Sequence, residues 1–130
     1  MLRIDKLNQF YGESHTLWDM GLKVEKGSCT CLMGRNGVGK TTLLKSMMGL
    51  LPIESGEVSF QGRDLAKARA SVRARAGIGY VPQGREIFGQ MTVEENLRIG
   101  LRSRGDGVDE IPQSIFEIFP VLKDMLHRRG

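Results

Sequence analysis

Apolar and polar positions alternate with period two in Leu2-Arg3-Ile4-Asp5-Lys6-Leu7, the pattern of a half-buried strand. A turn follows at Phe10-Tyr11-Gly12. Residues 17–24 alternate less cleanly and end at Glu25-Lys26-Gly27. These turns leave no room for a crossover helix, so the two strands are predicted to pair antiparallel. Residues 28–33, Ser-Cys-Thr-Cys-Leu-Met, form a short run bounded by Gly27 and Gly34, which predicts a buried strand. Beyond it Leu43, Leu44, Met47 and Met48 fall at helical spacing, and Gly49 supplies a C-terminal stop.

The second half of the chain predicts further short elements. Residues 57–60 read as a strand closed by Gln61-Gly62. Residues 63–76 set Arg63, Lys67, Arg69, Arg73 and Arg75 among alanines and predict a helix with a solvated basic face. Residues 77–81 read as a buried strand ended by Pro82. Thr92-Val93-Glu94-Glu95 has the form of a capping box opening a helix through about residue 101. A polar link over 102–109 leads to Ile115, Phe116, Ile118, Phe119, Leu122 and Leu126, which predict one or two helices broken near Pro120.

Between the predicted strand at 28–33 and the helix that follows lies Gly34-Arg35-Asn36-Gly37-Val38-Gly39-Lys40-Thr41, which fits G-x-x-x-x-G-K-[ST] at every fixed position. Successive backbone N–H groups of such a loop point into one concavity, and its glycines allow a phosphate to approach the chain closely. Lys40 would reach the β/γ-phosphates, and the Thr41 hydroxyl would hold Mg²⁺. Strand, glycine loop and helix are the context the motif requires, and the helix N-terminus adds its own attraction for anions. A nucleotide is expected here.

Composition changes little in this picture. The chain has 130 residues, 40% hydrophobic and 26% charged, which suits one globular domain rather than disorder. No run approaches the roughly 18 apolar residues of a membrane span, and the first residues lack the apolar core of a signal peptide; a cytosolic protein is expected. Cys29 and Cys31 are the only cysteines. Two thiols do not complete a zinc site, so they are expected to be small buried hydrophobes. The net charge of +4 suits anionic ligands. The basic 63–76 segment has no interleaved aromatic residues for base stacking, so no nucleic-acid partner is expected.

Taken together, the chain resembles the first half of the ATP-binding subunit of an ABC transporter over nearly its whole length. The resemblance rests on Tyr11 ahead of the P-loop, the P-loop itself, Ser55-Gly56-Glu57-Val58, Tyr80-Val81-Pro82-Gln83 and Met91-Thr92-Val93-Glu94-Glu95-Asn96-Leu97. Within the family, Gly34 to Thr42 and the run Gly79-Tyr80-Val81-Pro82-Gln83-Gly84-Arg85-Glu86-Ile87-Phe88 look most like subunits serving urea uptake, with close relatives serving branched-chain amino acids. The implied fold is α/β, a P-loop NTPase with an antiparallel β region over residues 1–27, part of the P-loop core over 28–91 and the start of a helical subdomain over 92–130.

The resemblance also implies roles. Tyr11 would stack on adenine, with Phe10 as a rival. Gly34, Arg35, Asn36, Gly37, Val38, Gly39, Lys40 and Thr41 would hold the β- and γ-phosphates, and Thr42 would lie near the α-phosphate. Gln83 would join Thr41 at Mg²⁺ and contact the attacking water. Arg85, Ile87 and Phe88 would either face a transmembrane permease or pack into the helical subdomain. ATP and Mg²⁺ are the implied cofactors. The implied partners are permease subunits, a second ATP-binding subunit (the same or a different chain) and, indirectly, a solute-binding protein, at the inner face of the plasma membrane.

The family's signature Leu-Ser-Gly-Gly-Gln, Walker B aspartate, catalytic glutamate and switch histidine do not occur in this sequence. His15 and His127 stand at the wrong places to substitute. The chain is therefore expected to bind ATP and to hydrolyse it poorly, as a piece of a complete ATPase with an incomplete core sheet. Strand edges left unpaired would invite swapping or association. The alternatives are a soluble ABC-type ATPase acting on nucleic acid or the ribosome, and a nonenzymatic nucleotide-binding module.

Overall fold

The computed structural model describes residues 1–84, 86–102 and 107–130. They form two compact units, Met1–Ile78 and Gly79–Gly130.

The first unit is built on a four-stranded sheet in the order β2-β1-β3-β4. The strands are β1 (Leu2–Tyr11), β2 (Ser14–Val24), β3 (Ser55–Phe60) and β4 (Arg63–Asp64). All three pairings are antiparallel, so the antiparallel front end predicted from the short turns is present. Gln61 and Gly62 both have positive φ, 51° and 79°, which suits the tight turn joining β3 to β4.

Period two does not carry unbroken through β1. Ile4 and Leu7 are both buried although three residues apart. The register slips between them, and Lys6 takes φ 47°. The bulge re-aims Leu7 to the core face. Asp19, at φ 42°, lies beside a matching irregularity in β2. Asn8 bridges the disrupted ladder: its Nδ2 donates to Asp19 Oδ1 and Ser55 Oγ, and its Oδ1 accepts from the Asp19 N–H and faces His15 Nε2 at 2.9 Å. One side chain thus joins β1, β2 and β3 where backbone pairing lapses.

Helix α1 (Lys40–Met47) follows the glycine loop, and Gly49 at φ 69° ends it, as its apolar spacing predicts. Its Leu43 joins Ile4, Leu7, Leu17, Val58 and Leu65 in the core. The short helix α2 (Ala70–Arg75) completes the unit.

Four expectations are corrected here. Residues 28–33 form no strand, because no described segment supplies their ladder. Without that partner Cys29 and Cys31 are exposed rather than buried. Residues 77–81 likewise form no strand, and Val81 is 92% exposed. The helix expected over 63–76 is confined to α2, since Arg63 and Asp64 pair with β3; its basic face is not wholly solvated either, because Arg73 is buried.

The second unit contains α3 (Val93–Arg102), α4 (Gln113–Ile118) and α5 (Val121–Met125). The helical break predicted near Pro120 is present. The capping box at α3 forms as the sequence predicts: the Thr92 N–H donates to Glu95 Oε2 at 2.7 Å, and the Glu95 N–H donates to Thr92 Oγ1 at 3.2 Å. The C-terminal tail covers the remaining donors, with the Val93 and Glu94 N–H groups bonded to the Arg128 and Leu126 carbonyls.

Candidate functional site

The two long helices treat their N-termini differently. At α3 side chains and tail carbonyls satisfy the first donors. At α1 the cap is Gly39 at φ 96°, which has no side chain to offer, and the first turn carries no acidic residue. The first intrahelical bond runs from the Leu43 N–H to the Gly39 carbonyl at 2.8 Å. The N–H groups of Lys40, Thr41 and Thr42 have no acceptor among the described residues. Three donors without acceptors among the described residues thus stand at the positive end of the helix dipole, an arrangement suited to an anion.

Leading into α1, the glycine loop is exposed from residue 34 to residue 38, while Gly39 is buried. A Cβ on Gly39 would lie 2.8 Å from Leu17 Cδ2, so the Leu17 side chain of β2 packs against the loop, and the positive φ at this position favours glycine. The Lys40 side chain curls back across the loop, its Nζ donating to the Gly34 and Arg35 carbonyls at 2.6 Å each. An ammonium has three donors. Among the described residues one has no partner and can meet a ligand, and both existing bonds are to neutral acceptors that a phosphate oxygen outcompetes. Thr41 is exposed beside it and Thr42 is buried.

Tyr11 ends β1 opposite Ser14, with 50% of its surface exposed. Its rival Phe10 is engaged elsewhere: the ring stacks on His15 at 4.0 Å, and His15 stacks on Trp18 at 3.6 Å. The residues of this stack other than Phe10 escaped the reading of the sequence, because the bulged register that brings His15 and Trp18 together follows no simple period.

Gln83 is exposed in the second unit, ahead of Gly84 at φ 103°. Arg85 lies outside the described residues. Ile87 and Phe88 help to line a largely apolar cavity of about 590 Å³ with Tyr80, Val93, Leu97 and Leu122. Both remain more than half exposed. Asn96 on α3 holds the backbone of Phe88 at both polar groups.

Comparison with known proteins agrees with this geometry. The family model for ABC transporters matches residues 17–128. The probable branched-chain amino acid transport ATP-binding protein LivF of Archaeoglobus fulgidus is 38% identical over the whole chain and 56% of its own length. The high-affinity branched-chain amino acid transport ATP-binding protein BraG of Pseudomonas aeruginosa is 36% identical with the same coverage. A sulfate/thiosulfate import ATP-binding protein, CysA of Mannheimia succiniciproducens, is 32% identical over 94% of the chain and 34% of its own length. The chain thus spans little more than half the length of the first two relatives. Among solved structures, a nucleotide-free ATP-binding cassette from an ABC transporter superposes with TM-score 0.75 at 27% identity, covering 99% of this chain and 57% of that one. These likenesses bear out the P-loop NTPase fold class with its antiparallel β part and incomplete core sheet.

Proposed function

The chain belongs to the ABC transporter family, in the line of its ATP-binding subunits, and on that premise we propose that it holds Mg-ATP at residues 34–42 for an importer of branched-chain amino acids or urea. The observation that carries the proposal is the N-terminus of α1, where the Lys40, Thr41 and Thr42 N–H groups have no acceptor among the described residues and a lysine ammonium lies across the loop. The donor set fits a polyphosphate. It has no competing carboxylate in the first turn of α1, and at Gly37 nothing lies within 4 Å of where a Cβ would stand.

The chain's own residues then act as follows. The loop and α1 backbone receive the β- and γ-phosphates, and Lys40 leaves the Gly34 and Arg35 carbonyls to neutralise them. The hydroxyl of Thr41 is a neutral oxygen donor of the kind Mg²⁺ accepts. The bound metal ion supplies charge neutralisation across the phosphates. Tyr11 offers a flat exposed face to the adenine ring. The family's Walker B aspartate and catalytic glutamate do not occur in this sequence, so the reading for these 130 residues is nucleotide binding with little turnover.

Energy coupling follows from the partners proposed for the whole subunit: a second ATP-binding subunit, permease subunits at the inner face of the membrane and, through them, a solute-binding protein. No helix among the described residues is long and apolar enough to cross a membrane. The apolar cavity at Ile87 and Phe88 is of a kind to receive a helix from the permease. Branched-chain amino acids are favoured by the named roles of two relatives, and urea by the run from residue 79 to residue 88.

Calorimetric titration of the 130-residue chain with Mg-ATP tests the site. Saturable binding that Lys40→Ala abolishes supports it; equal binding by the Lys40→Ala chain would sink it.

A further inference from the structure

The helix that presents the phosphate site is gripped at its far end by a buried arginine. Arg73, on α2, is 2% exposed. Its Nη1 donates to the carbonyls of Ser46 at 2.9 Å and Met47 at 2.7 Å, its Nε to Ala68 O at 2.9 Å and its Nη2 to Ala66 O at 3.1 Å. Among the described residues four backbone carbonyls, and no carboxylate, are its hydrogen-bond partners. Burial pulls its pKa down from the ordinary value, while the more distant Asp64 acts in the opposite sense.

Ser46 and Met47 are the last two residues of α1. The carbonyls of a helix's last turn lack intrahelical partners and carry the negative end of its dipole. The Gly49 N–H already donates to the Ser46 carbonyl at 3.0 Å; the guanidinium adds a second, charged donor there, bonds the Met47 carbonyl as well, and sets a cation at the negative end of the dipole. Gly49 makes room for it: at φ 69° the chain turns aside, and a Cβ there would lie 2.9 Å from Arg73 Nε.

We propose that Arg73 is a positioning residue for the nucleotide site. An eight-residue helix is too short to hold its place by its own hydrogen bonds. Leu43 anchors it to the core from one side. Its N-terminal end must stay open for phosphate, so no cap fixes it there. Arg73 fixes α1 from the opposite end and ties it to the loop at residues 66–69, which sets where the Lys40, Thr41 and Thr42 donors stand. Arginine is required because a planar fork of five donors reaches several carbonyls in fixed directions, whereas a lysine presents three donors from a single point. The inference rests on the reading of residues 34–42 as a phosphate loop.

Arg73→Lys and Arg73→Met, compared with Leu65→Ala as a core variant without that grip, test it through two readouts. One is amide hydrogen exchange at Met48 and Leu50, whose N–H groups bond to Leu44 and Lys45 carbonyls; the other is Mg-ATP affinity. Both Arg73 variants are expected to exchange about tenfold faster there than Leu65→Ala at matched global stability, and to bind Mg-ATP about tenfold more weakly than the unmodified chain. Full retention of both properties by Arg73→Lys overturns the requirement for the fork. Exchange no faster than in Leu65→Ala, or faster exchange with undiminished Mg-ATP affinity, overturns the positioning role. If the unmodified chain itself does not bind Mg-ATP, the phosphate-loop reading falls and the nucleotide role of Arg73 with it. The exchange readout still decides whether the grip on α1 exists.

Discussion

Asn96 treats Phe88 as a neighbouring strand would. Its Oδ1 accepts the Phe88 N–H at 2.9 Å, and its Nδ2 donates to the Phe88 carbonyl at 3.1 Å. The same Nδ2 also reaches the Thr92 carbonyl at 2.9 Å, in the turn opening α3. The loop that carries Ile87 and Phe88 to the apolar cavity is therefore held by this side chain and by the Met91 N–H, which donates to the Phe88 carbonyl at 2.9 Å, rather than by a ladder.

Asn96→Ala removes both bonds to Phe88 and is expected to destabilise the second unit by about 1–3 kcal/mol. Asn96→Asp keeps one acceptor but sets a carboxylate against the Phe88 and Thr92 carbonyls, so it is expected to be no better. Hydrogen exchange at the Phe88 amide checks both: its protection should fall in each variant while that of the core strand β1 stays unchanged. Undiminished protection would show that the loop is held by its apolar packing instead.

Glycines of similar φ should differ sharply in their tolerance of a side chain. At Gly56, φ 108°, a Cβ would lie 2.5 Å from Leu7 Cα and from the Lys6 carbonyl oxygen. At Gly62, φ 79°, nothing lies within 4 Å. Gly62→Ala should cost only the left-handed backbone penalty of about 1–2 kcal/mol. Gly56→Ala adds a backbone clash where β1 and β3 pair, so its loss should be clearly the larger. Urea unfolding of the two variants gives the comparison; equal losses would mean that the strands part at no cost.

Much of this architecture is legible in the sequence because it depends on near neighbours. The Thr92–Glu95 capping box and the Gly49 stop each depend on a few adjacent residues, and each forms as read. Residues 28–33 show what a local pattern leaves out. An apolar run between glycines signals burial, yet a strand exists only through its partner, and none of the described segments pairs with it. Arg73 was hidden for a related reason. Among five basic residues at helix-like spacing nothing local marks the one that turns inward, and its four carbonyl partners come from two separate segments. The glycine loop marked a candidate phosphate site, but the contrast between the open N-terminus of α1 and the covered one of α3 is visible only in the fold.

The Lys23–Glu25 pair gives a pH dependence of known sign. The hydrogen bond and charge of Lys23 lower the Glu25 pKa from its ordinary value of 4.5. A depressed folded-state pKa contributes stability that is fully present above the unfolded value and is lost as pH falls through the folded one. Both side chains are well exposed, so the effect is small and screened by salt. Glu25→Gln should melt slightly below the unmodified chain at about pH 7, and the difference should close towards about pH 3. A difference that persists in acid would assign it to packing rather than charge.

Three aromatic residues near the loop make distinct predictions for nucleotide binding. Phe10 is engaged with His15, and Trp18 covers the other side of the same imidazole while its Nε1 donates to the His15 carbonyl at 3.1 Å. Tyr11 belongs to neither contact and keeps 50% of its surface exposed at the end of β1. Stacking a base on an aromatic ring contributes about 1–3 kcal/mol, which corresponds to roughly fivefold to a hundredfold in affinity. Tyr11→Ala should therefore weaken Mg-ATP by about fivefold or more, and Tyr11→Phe should retain most of the affinity because the flat face survives. The Trp18→Ala chain should bind nearly as the unmodified one does. Since every base has a π-face, Mg-GTP should lose comparable affinity in Tyr11→Ala. The reverse ranking, with Trp18→Ala impaired and Tyr11→Ala intact, would move the base onto the Phe10–His15–Trp18 stack and leave Tyr11 as an ordinary strand-end residue.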